Sequence, residues 1–264
     1  MLYAISQDGH KIRPFQGASA FCPFCKETVI AKCGLINAHH WAHLPQSHSA
    51  CVTTSEYESE SEWHYTFKGL FPKENVEILV QKENVKMRAD VKLPNGLVLE
   101  IQHSSISPKI IKNRNNFHRK IVWLFDVSGP FAADRIHYWG FDGLNRLINR
   151  QAKYEWIQPA KSIRYAASEK NNPVFFDLGF GKIIEVKDLW FSQILFDTHN
   201  IEKFGQYTKK YKFEGQARAY ANYSEFVDRI YQIDNEWIMP KSRDSRKAKH
   251  RKRNNKMEIS FLNH

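Results

Sequence analysis

The stretch from Met87 to Ser104, with the sequence MRADVKLPNGLVLEIQHS, constrains the fold more than any other part of the chain. Apolar and polar residues alternate on both sides of Pro94-Asn95-Gly96, which predicts a β-hairpin. A three-residue loop fits best, with Pro94 and Asn95 at the centre of a type I turn and Gly96 in the left-handed conformation. In this register the core-facing side chains of the second strand are Leu97, Leu99 and Ile101.

The same register places Asp90 opposite Glu100, with about 5 Å between their Cβ atoms. Two facing carboxylates repel each other, which is unfavourable in a structural ladder and favourable around a divalent cation. Gln102 follows Glu100 on the same face of the strand. The pattern therefore predicts that Asp90 and Glu100 bind Mg²⁺ or Mn²⁺. A surface hairpin with scattered polar residues is the alternative.

A second metal site is predicted near the start of the chain. Cys22 and Cys25 form a CxxC pair, and His40 and His43 form an HxxH pair further on. Two thiolates and two imidazoles complete a closed tetrahedral Zn²⁺ site, which typically stabilises a segment too small to fold alone. We expect a structural zinc site within an N-terminal module, residues 1–54.

Other residues offer alternatives to this ligand set. His39 is a possible substitute ligand, and Cys33 and Cys51 are spare thiols. A redox CxxC with unrelated histidines is a further alternative, although no thioredoxin-like strand–CxxC–helix pattern surrounds the pair.

Residues 60–71 predict a helix because large apolar residues recur there at helical spacing. These residues are Trp63, Phe67, Leu70 and Phe71. Along a neighbouring face, Glu60, His64 and Lys68 lie four residues apart. An acid, an imidazole and an amine aligned beside the carboxylate hairpin can extend an active site. An ordinary amphipathic helix with a ladder of polar side chains is the alternative.

The elements around the hairpin predict a layered α/β core over residues 55–150. A strand over Val76–Lys82 precedes the hairpin, and a helix that begins at Ser107 follows it. The run Ile121–Asp126 is continuously apolar up to its last residue, as expected of a buried central strand. The predicted order is a helix, a meander of three strands, a crossover helix and another strand.

Residues 151–240 predict a C-terminal α+β region. Its expected elements are a helix around Asp142–Lys153 at the boundary, a hairpin of Val174–Leu178 with Lys182–Val186, a helix over Lys187–Phe204 and a last helix near Ser224–Trp237. The aromatic residues Trp190, Phe191 and Tyr207 can stack on unpaired bases, but their spacing favours a place in the core.

Charge is concentrated at the end of the chain. The 264 residues carry a formal charge of +11, and residues 241–256 hold nine lysines and arginines against one acid. Such a block binds polyanions, and nucleic acid is the favoured partner. The basic tail, residues 241–264, includes Lys247, Lys249, Arg251, Lys252 and Arg253. A tail that only aids solubility is the alternative.

The chain has no apolar run of the roughly 20 residues that a membrane helix needs, and its start has no signal-peptide pattern. We therefore expect a cytoplasmic protein without a membrane partner. Hydrophobic residues make up 42% of the chain, which is enough for a packed core.

The order of motifs CPFC, HWAH, ESEWH, RAD, EIQHS, SIS and IVWLF resembles the competence protein CoiA family over about residues 15–130. That family is a divergent branch of the PD-(D/E)XK nuclease superfamily with a zinc-ribbon-like N-terminal module. The resemblance implies a restriction-endonuclease-like core, a central mixed sheet flanked by helices, in which Asp90 and Glu100 bind Mg²⁺. Gln102 stands where the superfamily name has lysine, and His118 stands where a tyrosine is more usual.

The resemblance also implies roles for residues near the hairpin. Glu60 matches the acidic position on the first helix, and His64 and Lys68 match that helix's pattern. Ser104 and Arg114 match polar positions that follow the hairpin, and we expect them to contact nucleic acid. Lys68 is the candidate to supply the cationic charge that the missing lysine would give.

The resulting hypothesis is a metal-dependent nuclease or nuclease-like DNA-processing protein. It would act in DNA uptake, recombination or defence. DNA is favoured over RNA, and recombination or DNA-processing proteins are possible partners. A nuclease fold that has become a catalytically inactive nucleic-acid-binding platform is the second hypothesis. A zinc-stabilised protein–protein adaptor is the third, and it leaves the hairpin and the tail unexplained.

Overall fold

The computed structural model describes residues 1–35, 38–44, 51, 61–169, 171–197 and 208–237. It shows a mixed α/β architecture with two sheets, one of five strands and one of ten, and a few short helices. No helix within the described ranges is long and apolar enough to cross a membrane.

The N-terminal module is a five-stranded antiparallel sheet with the order β2-β1-β3-β4-β5. Its strands are Ala4–Ile5 (β1), Lys11–Ile12 (β2), Ser19–Phe21 (β3), Thr28–Lys32 (β4) and His40–His43 (β5). A small core of its own includes Cys22, Val29 and Trp41, all 1% exposed or less. A core of this size is weak by itself, so a metal site in it would add to its stability.

The central unit contains the predicted order of elements. These are Glu62–Lys68 (α1), a 3-10 turn at Lys73–Asn75, Val76–Lys82 (β6), Val85–Lys92 (β7), Val98–Gln102 (β8), Pro108–His118 (α2) and Ile121–Asp126 (β9). Strands β6, β7 and β8 form an antiparallel meander, and β9 returns parallel to β8 after the crossover helix α2.

Local sequence explains why these elements begin and end where they do. Ser107 caps α2 with a side-chain oxygen that accepts from the Ile110 N–H at 3.3 Å, and Pro108 occupies the first turn. In the hairpin loop the Gly96 N–H bonds the Leu93 carbonyl at 2.9 Å, and Gly96 has φ +91°. The predicted loop, with glycine in the left-handed region, is therefore confirmed.

The C-terminal region continues the same sheet as the central unit. Its elements are Ser128–Ala132 (α3), Ile136–Tyr138 (β10), Gln151–Ile157 (β11), Lys161–Ser168 (α4), Val174–Asp177 (β12), Ile183–Val186 (β13), Trp190–Asp197 (β14), Thr208–Tyr220 (β15) and Tyr223–Glu236 (α5). Strand β12 lies parallel to β9, and the sheet order is β10-β11-β15-β13-β12-β9-β8-β7-β6, with β14 on β15. Strands on both sides of residue 150 thus belong to one sheet.

Two apolar clusters cover the two faces of this sheet. One joins α1 and α5 to the sheet through Phe67, Phe226 and Ile230. The other joins α2 and α4 to it through Ile111 and Ala166. Leu97, Leu99 and Ile101 are 3% exposed or less and lie in the first cluster, so their predicted core-facing position is confirmed.

Two of the predicted C-terminal helices are wrong. The region Asp142–Lys153 contains turns and the start of β11, and the region from Trp190 to Asp197 is strand β14. In the second region, β14 pairs along its length with the long strand β15. That partner lies more than ten residues away in the sequence, so local spacing could not reveal it. The predicted hairpin of β12 and β13 and the last helix are confirmed.

Candidate active site and metal centre

Four potential zinc ligands come together in the N-terminal module: Cys22, Cys25, His43 and Cys51. Their ligand atoms all lie within 4.8 Å of one another. The Cys25 Sγ to His43 Nε2 distance is 3.2 Å, and the Cys22 Sγ to Cys51 Sγ distance is 3.7 Å. A tetrahedral Zn²⁺ with bonds of about 2.3 Å to sulfur has ligand–ligand edges of about 3.8 Å. The cluster therefore has the donor set and spacing of a structural zinc site.

The local backbone prepares the CxxC pair for a metal. A tight turn joins the Lys26 N–H to the Cys22 carbonyl at 3.0 Å, and the Phe24 N–H points at the Cys22 sulfur at 3.4 Å. Burial raises the pKa of the Cys22 thiol to about 12, so without a metal this thiol keeps its proton. Burial also lowers the pKa of His43, which keeps its imidazole neutral and able to act as a ligand.

Cys51, and not His40, is the fourth member of the cluster, which corrects the predicted ligand set. Residues 40–43 form a strand, where side chains alternate, so His40 and His43 point to opposite faces of β5. The His40 Nδ1 atom instead lies 2.8 Å from the carbonyl oxygen of Ala38. Cys51, which the sequence offered only as a spare thiol, is 3% exposed and packs in the module's core.

Asp90 lies on β7 in the predicted register, because the ladder pairs Val91 with Leu99 and Lys92 with Val98. Its Oδ2 atom accepts the Ile101 N–H at 3.0 Å, and its Oδ1 atom lies 3.1 Å from Lys68 Nζ. Burial favours a protonated Asp90, but the charges of Lys68 and Arg88 and the Ile101 N–H outweigh it and lower the pKa of the carboxyl. Asp90 is thus held as an anion.

Glu100 lies on β8, and its side chain contacts helix α2. Its Oε2 atom accepts a hydrogen bond from Arg114 at 2.5 Å, and its Oε1 atom lies 3.6 Å from His118 Nε2. Burial and the charge of Asp90 outweigh the guanidinium and raise the pKa of Glu100 to about 7. The two carboxylates therefore have pKa values displaced in opposite directions, a pattern that marks functional sites.

His118 and Glu100 bring two buried polar atoms close together, and neither atom has a hydrogen-bond partner among the described residues. Burial and the charges of Arg114, Lys82 and Lys92 lower the pKa of His118 to about 3, so its ring is neutral. Within the described part of the chain, neither Glu100 Oε1 nor His118 Nε2 has a hydrogen-bond partner. Buried polar atoms rarely lack a partner, so this pair of atoms is a place where an ion or a water would fit.

Lys68, the predicted source of cationic charge, lies at the Asp90 carboxylate. Its side chain is fully buried, and Nζ lies 3.1 Å from Asp90 and 3.3 Å from Glu77. The ammonium of Lys68 thus contacts two carboxylates of the core, and its role toward a bound phosphate stays a prediction. Glu77, which the sequence did not single out, also accepts the N–H groups of Leu2 and Tyr3 and so ties the N-terminal module to the core.

The other predicted residues lie close by, with local partners. His64 Nδ1 accepts the Ser61 N–H at 3.2 Å in a capping box at the start of α1. Gln102 donates from Nε2 to the Ser104 carbonyl at 2.9 Å. Arg114 is 8% exposed and donates a hydrogen bond to Glu100, and its contact with nucleic acid stays a prediction.

A row of polar residues at the carboxyl ends of the parallel strands was missed by the sequence reasoning. His103 Nδ1 lies 2.7 Å from Asp126 Oδ2, and Asp126 also accepts from Ser128. Asp126 lies beside Asp177 in the β9–β12 register, and Asp177 accepts the indole N–H of Trp63 at 2.7 Å. The placement of acids at the ends of parallel strands was the signal that could have found this row.

Glu60 and the basic tail residues Lys247, Lys249, Arg251, Lys252 and Arg253 lie outside the described residues. Their predicted roles remain predictions from sequence.

Residues 7–53 match the family model of the N-terminal domain of competence protein CoiA. The matched segment contains all four members of the cysteine–histidine cluster and ends before α1. No curated protein and no solved structure matches the chain. The chain is therefore similar to the CoiA family in its N-terminal module.

Proposed function

We propose that this chain is a metal-dependent nuclease-like protein that hydrolyses phosphodiester bonds of DNA. The observation that carries the proposal is the pair Asp90 and Glu100, placed across the β7–β8 hairpin with pKa values displaced in opposite directions. Structural ion pairs normally lower the pKa values of their acids. An acid with a raised pKa beside an ionised acid is more typical of a site that receives a cation.

The residues present fit a hard divalent cation such as Mg²⁺ or Mn²⁺. The candidate ligands are carboxylate oxygens, which these ions prefer, and Glu100 Oε1 has no hydrogen-bond partner among the described residues. Asp90 and Glu100 would hold the ion, which would polarise the phosphate and lower the pKa of a bound water. The orphaned oxygen supports the fit because it gives the ion a ligand without breaking a hydrogen bond.

The neighbouring side chains support this chemistry by position. Gln102 follows Glu100 on the same face of β8, and its amide oxygen can orient an attacking water while Nε2 is held by Ser104. His64 lies close enough that its charge would lower the pKa of Asp90. Glu60 is proposed from the sequence alone as a further acid, which would contribute to the site either directly or through a water.

The order of elements supports a restriction-endonuclease-like core. A helix, an antiparallel meander, a crossover helix and a parallel strand place the two acids on adjacent strands. One fold can carry many activities, so the activity depends on the residues of the site. The similarity of residues 7–53 to a competence protein domain supports a role in competence-related DNA processing. The polycationic tail supports a nucleic-acid partner.

One set of contacts favours a second candidate function, a nuclease fold that binds nucleic acid without cutting it. Lys68 and Arg114 already neutralise Asp90 and Glu100, and a glutamine stands at the position of the superfamily's lysine. A bound cation would have to compete with these two internal ion pairs. We favour the active enzyme because Glu100 Oε1, unlike Oε2, has no hydrogen-bond partner among the described residues and is available to a cation.

The test is cleavage of labelled single-stranded DNA, double-stranded DNA and RNA by the full chain with Mg²⁺, Mn²⁺ or EDTA. The proposal expects cleavage of DNA that requires a divalent cation and stops in EDTA. Binding of DNA without cleavage under any metal would support the platform function instead. Cleavage that persists in EDTA would contradict the metal dependence.

A further inference from the structure

Strands β14 and β15 form a ribbon that extends past the rest of the large sheet. Strand β11 pairs with β15 only from Lys212 onward, whereas β14 pairs with β15 down to Thr208. In this register Ile194 pairs with Tyr211, and Phe196 pairs with Lys209. An irregularity after Phe191 shifts the register, so that Phe191 pairs with Phe213. Residues paired in this way share one face of the ribbon.

That face, defined by Phe191, Ile194, Phe196 and Tyr211, is exposed and aromatic. The four side chains are 51%, 43%, 58% and 44% exposed, respectively. The Phe191 ring lies 6.3 Å from the Tyr211 ring and 5.7 Å from the Phe213 ring. Soluble proteins rarely leave adjoining large apolar residues in water without a use for them, so this aromatic face is a candidate binding surface.

The charges around the aromatic face indicate which kind of partner it takes. Lys209 pairs with Phe196 and so shares the aromatic face, and no residue that the described pairing places on this face is acidic. Lys210 and Lys212 lie on the opposite face, where Lys212 pairs with Glu155 at 2.6 Å. From α4, the Arg164 guanidinium lies 5.3 Å from the centre of the Phe213 ring. Protein–protein interfaces are depleted in lysine, whereas surfaces for single-stranded nucleic acid combine aromatic rings with cations.

We propose that the aromatic face binds single-stranded nucleic acid by stacking unpaired bases on Phe191, Phe196 and Tyr211. The backbone phosphates would lie near Lys209 at one end of the face and near Arg164 at the other. This inference rests on the proposed function for its choice of nucleic acid as the ligand, and it names the single strand as the form that is held. The face is distinct from the Asp90–Glu100 site, which lies on β7 and β8.

Binding is measured by the fluorescence anisotropy of labelled oligothymidylate and of a labelled duplex, with the full chain in buffer without added Mg²⁺ or Mn²⁺, so that the proposed cleavage does not occur. The test variants are Phe196→Leu and Tyr211→Leu, which keep an apolar side chain and remove the ring. Phe15→Leu is the matched control, because Phe15 is 60% exposed and belongs to the N-terminal module. Thermal unfolding of each variant checks that the fold is retained.

Each test variant is expected to bind oligothymidylate about tenfold or more weakly than wild type, as for the loss of one stacked base. The dependence of affinity on salt should stay the same, because no charge is lost. The control and the binding of duplex should change little.

Three results would overturn the proposal. They are wild-type protein that does not bind oligothymidylate, ring-free variants that bind it as wild type does, and a wild-type dimer whose interface includes the aromatic face. Sedimentation of wild type and variants detects the dimer. The binding assay does not require cleavage, because it contains no added Mg²⁺ or Mn²⁺. A protein that cleaves nothing can therefore still be tested for binding, and the two proposals can fail separately.

Discussion

The carboxylate of Asp90 accepts the backbone N–H of Ile101, with Oδ2 3.0 Å from the nitrogen. In the backbone ladder between β7 and β8, Val91 pairs with Leu99. Asp90 is the residue directly before Val91 on β7. The Asp90 side chain thus supplies the acceptor that a backbone carbonyl would otherwise give, and it holds the carboxylate against β8 next to Glu100.

This contact predicts different stabilities for two variants of Asp90. Asp90→Ala should lower the free energy of unfolding by about 3–5 kcal/mol, because Lys68 and the Ile101 N–H both lose a buried partner. Asp90→Asn keeps an oxygen acceptor and should cost clearly less. Urea denaturation of both variants measures the difference. Equal losses would mean that the Ile101 contact does not matter.

The cysteine–histidine cluster predicts that zinc binding depends on Cys51 and not on His40. Cys51→Ser should lose its metal and much of the module's stability, because one of four ligands is gone. His40→Ala should keep about one equivalent of zinc, because His40 lies on the other face of β5. Metal analysis of proteins purified without added zinc distinguishes the two. Zinc loss in His40→Ala alone would restore the ligand set expected from the HxxH spacing.

The C-terminal helix holds the hairpin loop through Asp234. Its carboxylate accepts the N–H groups of Asn95 at 3.0 Å and Leu97 at 2.9 Å and pairs with Lys120 at 3.0 Å. Asp234→Ala should therefore destabilise the protein by about 3 kcal/mol. Asp228→Ala, at an exposed position of the same helix, is the control and should change stability little. Similar small effects in both would contradict the anchoring role.

Glu185 predicts a dependence of stability on pH that is independent of any metal. Burial favours its protonated form, but hydrogen bonds from Arg229, Lys187 and Tyr220 outweigh burial and lower the pKa of Glu185. A lowered pKa in the folded state adds stability above the unfolded value of 4.5, and this stability is lost as pH falls through the folded value. Glu185→Gln should thus cost roughly 2 kcal/mol at pH 7 and progressively less below pH 4.5. Urea denaturation across this range measures it, and a cost that does not change with pH would contradict the interpretation.

Sequence reasoning succeeded where the determining interactions are local. The hairpin register followed from the Pro94-Asn95-Gly96 loop and from alternation, and the start of α2 was predicted at Ser107, where the structure has its N-cap. These signals lie within a few residues of the structure that they specify.

The sequence did not predict features that depend on contacts between residues far apart in the chain. The contribution of Cys51 depends on how the chain returns to the CxxC turn, and the strand β14 depends on its pairing with β15. The burial of Lys68 depends on Glu77, whose partners Leu2 and Tyr3 come from the N-terminal module. Spacing along the sequence carries no information about such contacts.

The most direct test of the proposed active site compares Glu100→Gln and wild type in cleavage of labelled DNA as Mg²⁺ or Mn²⁺ is titrated. Glu83→Gln, an exposed acid in the turn between β6 and β7, is the matched control. Loss of a residue that only supports a metal ligand typically costs about 10- to 100-fold, so loss of Glu100 should reduce the rate at least about 100-fold. DNA binding should remain, and Glu83→Gln should cleave as wild type does. Cleavage at the wild-type rate by Glu100→Gln would contradict the assignment of Asp90 and Glu100 as the metal-holding pair.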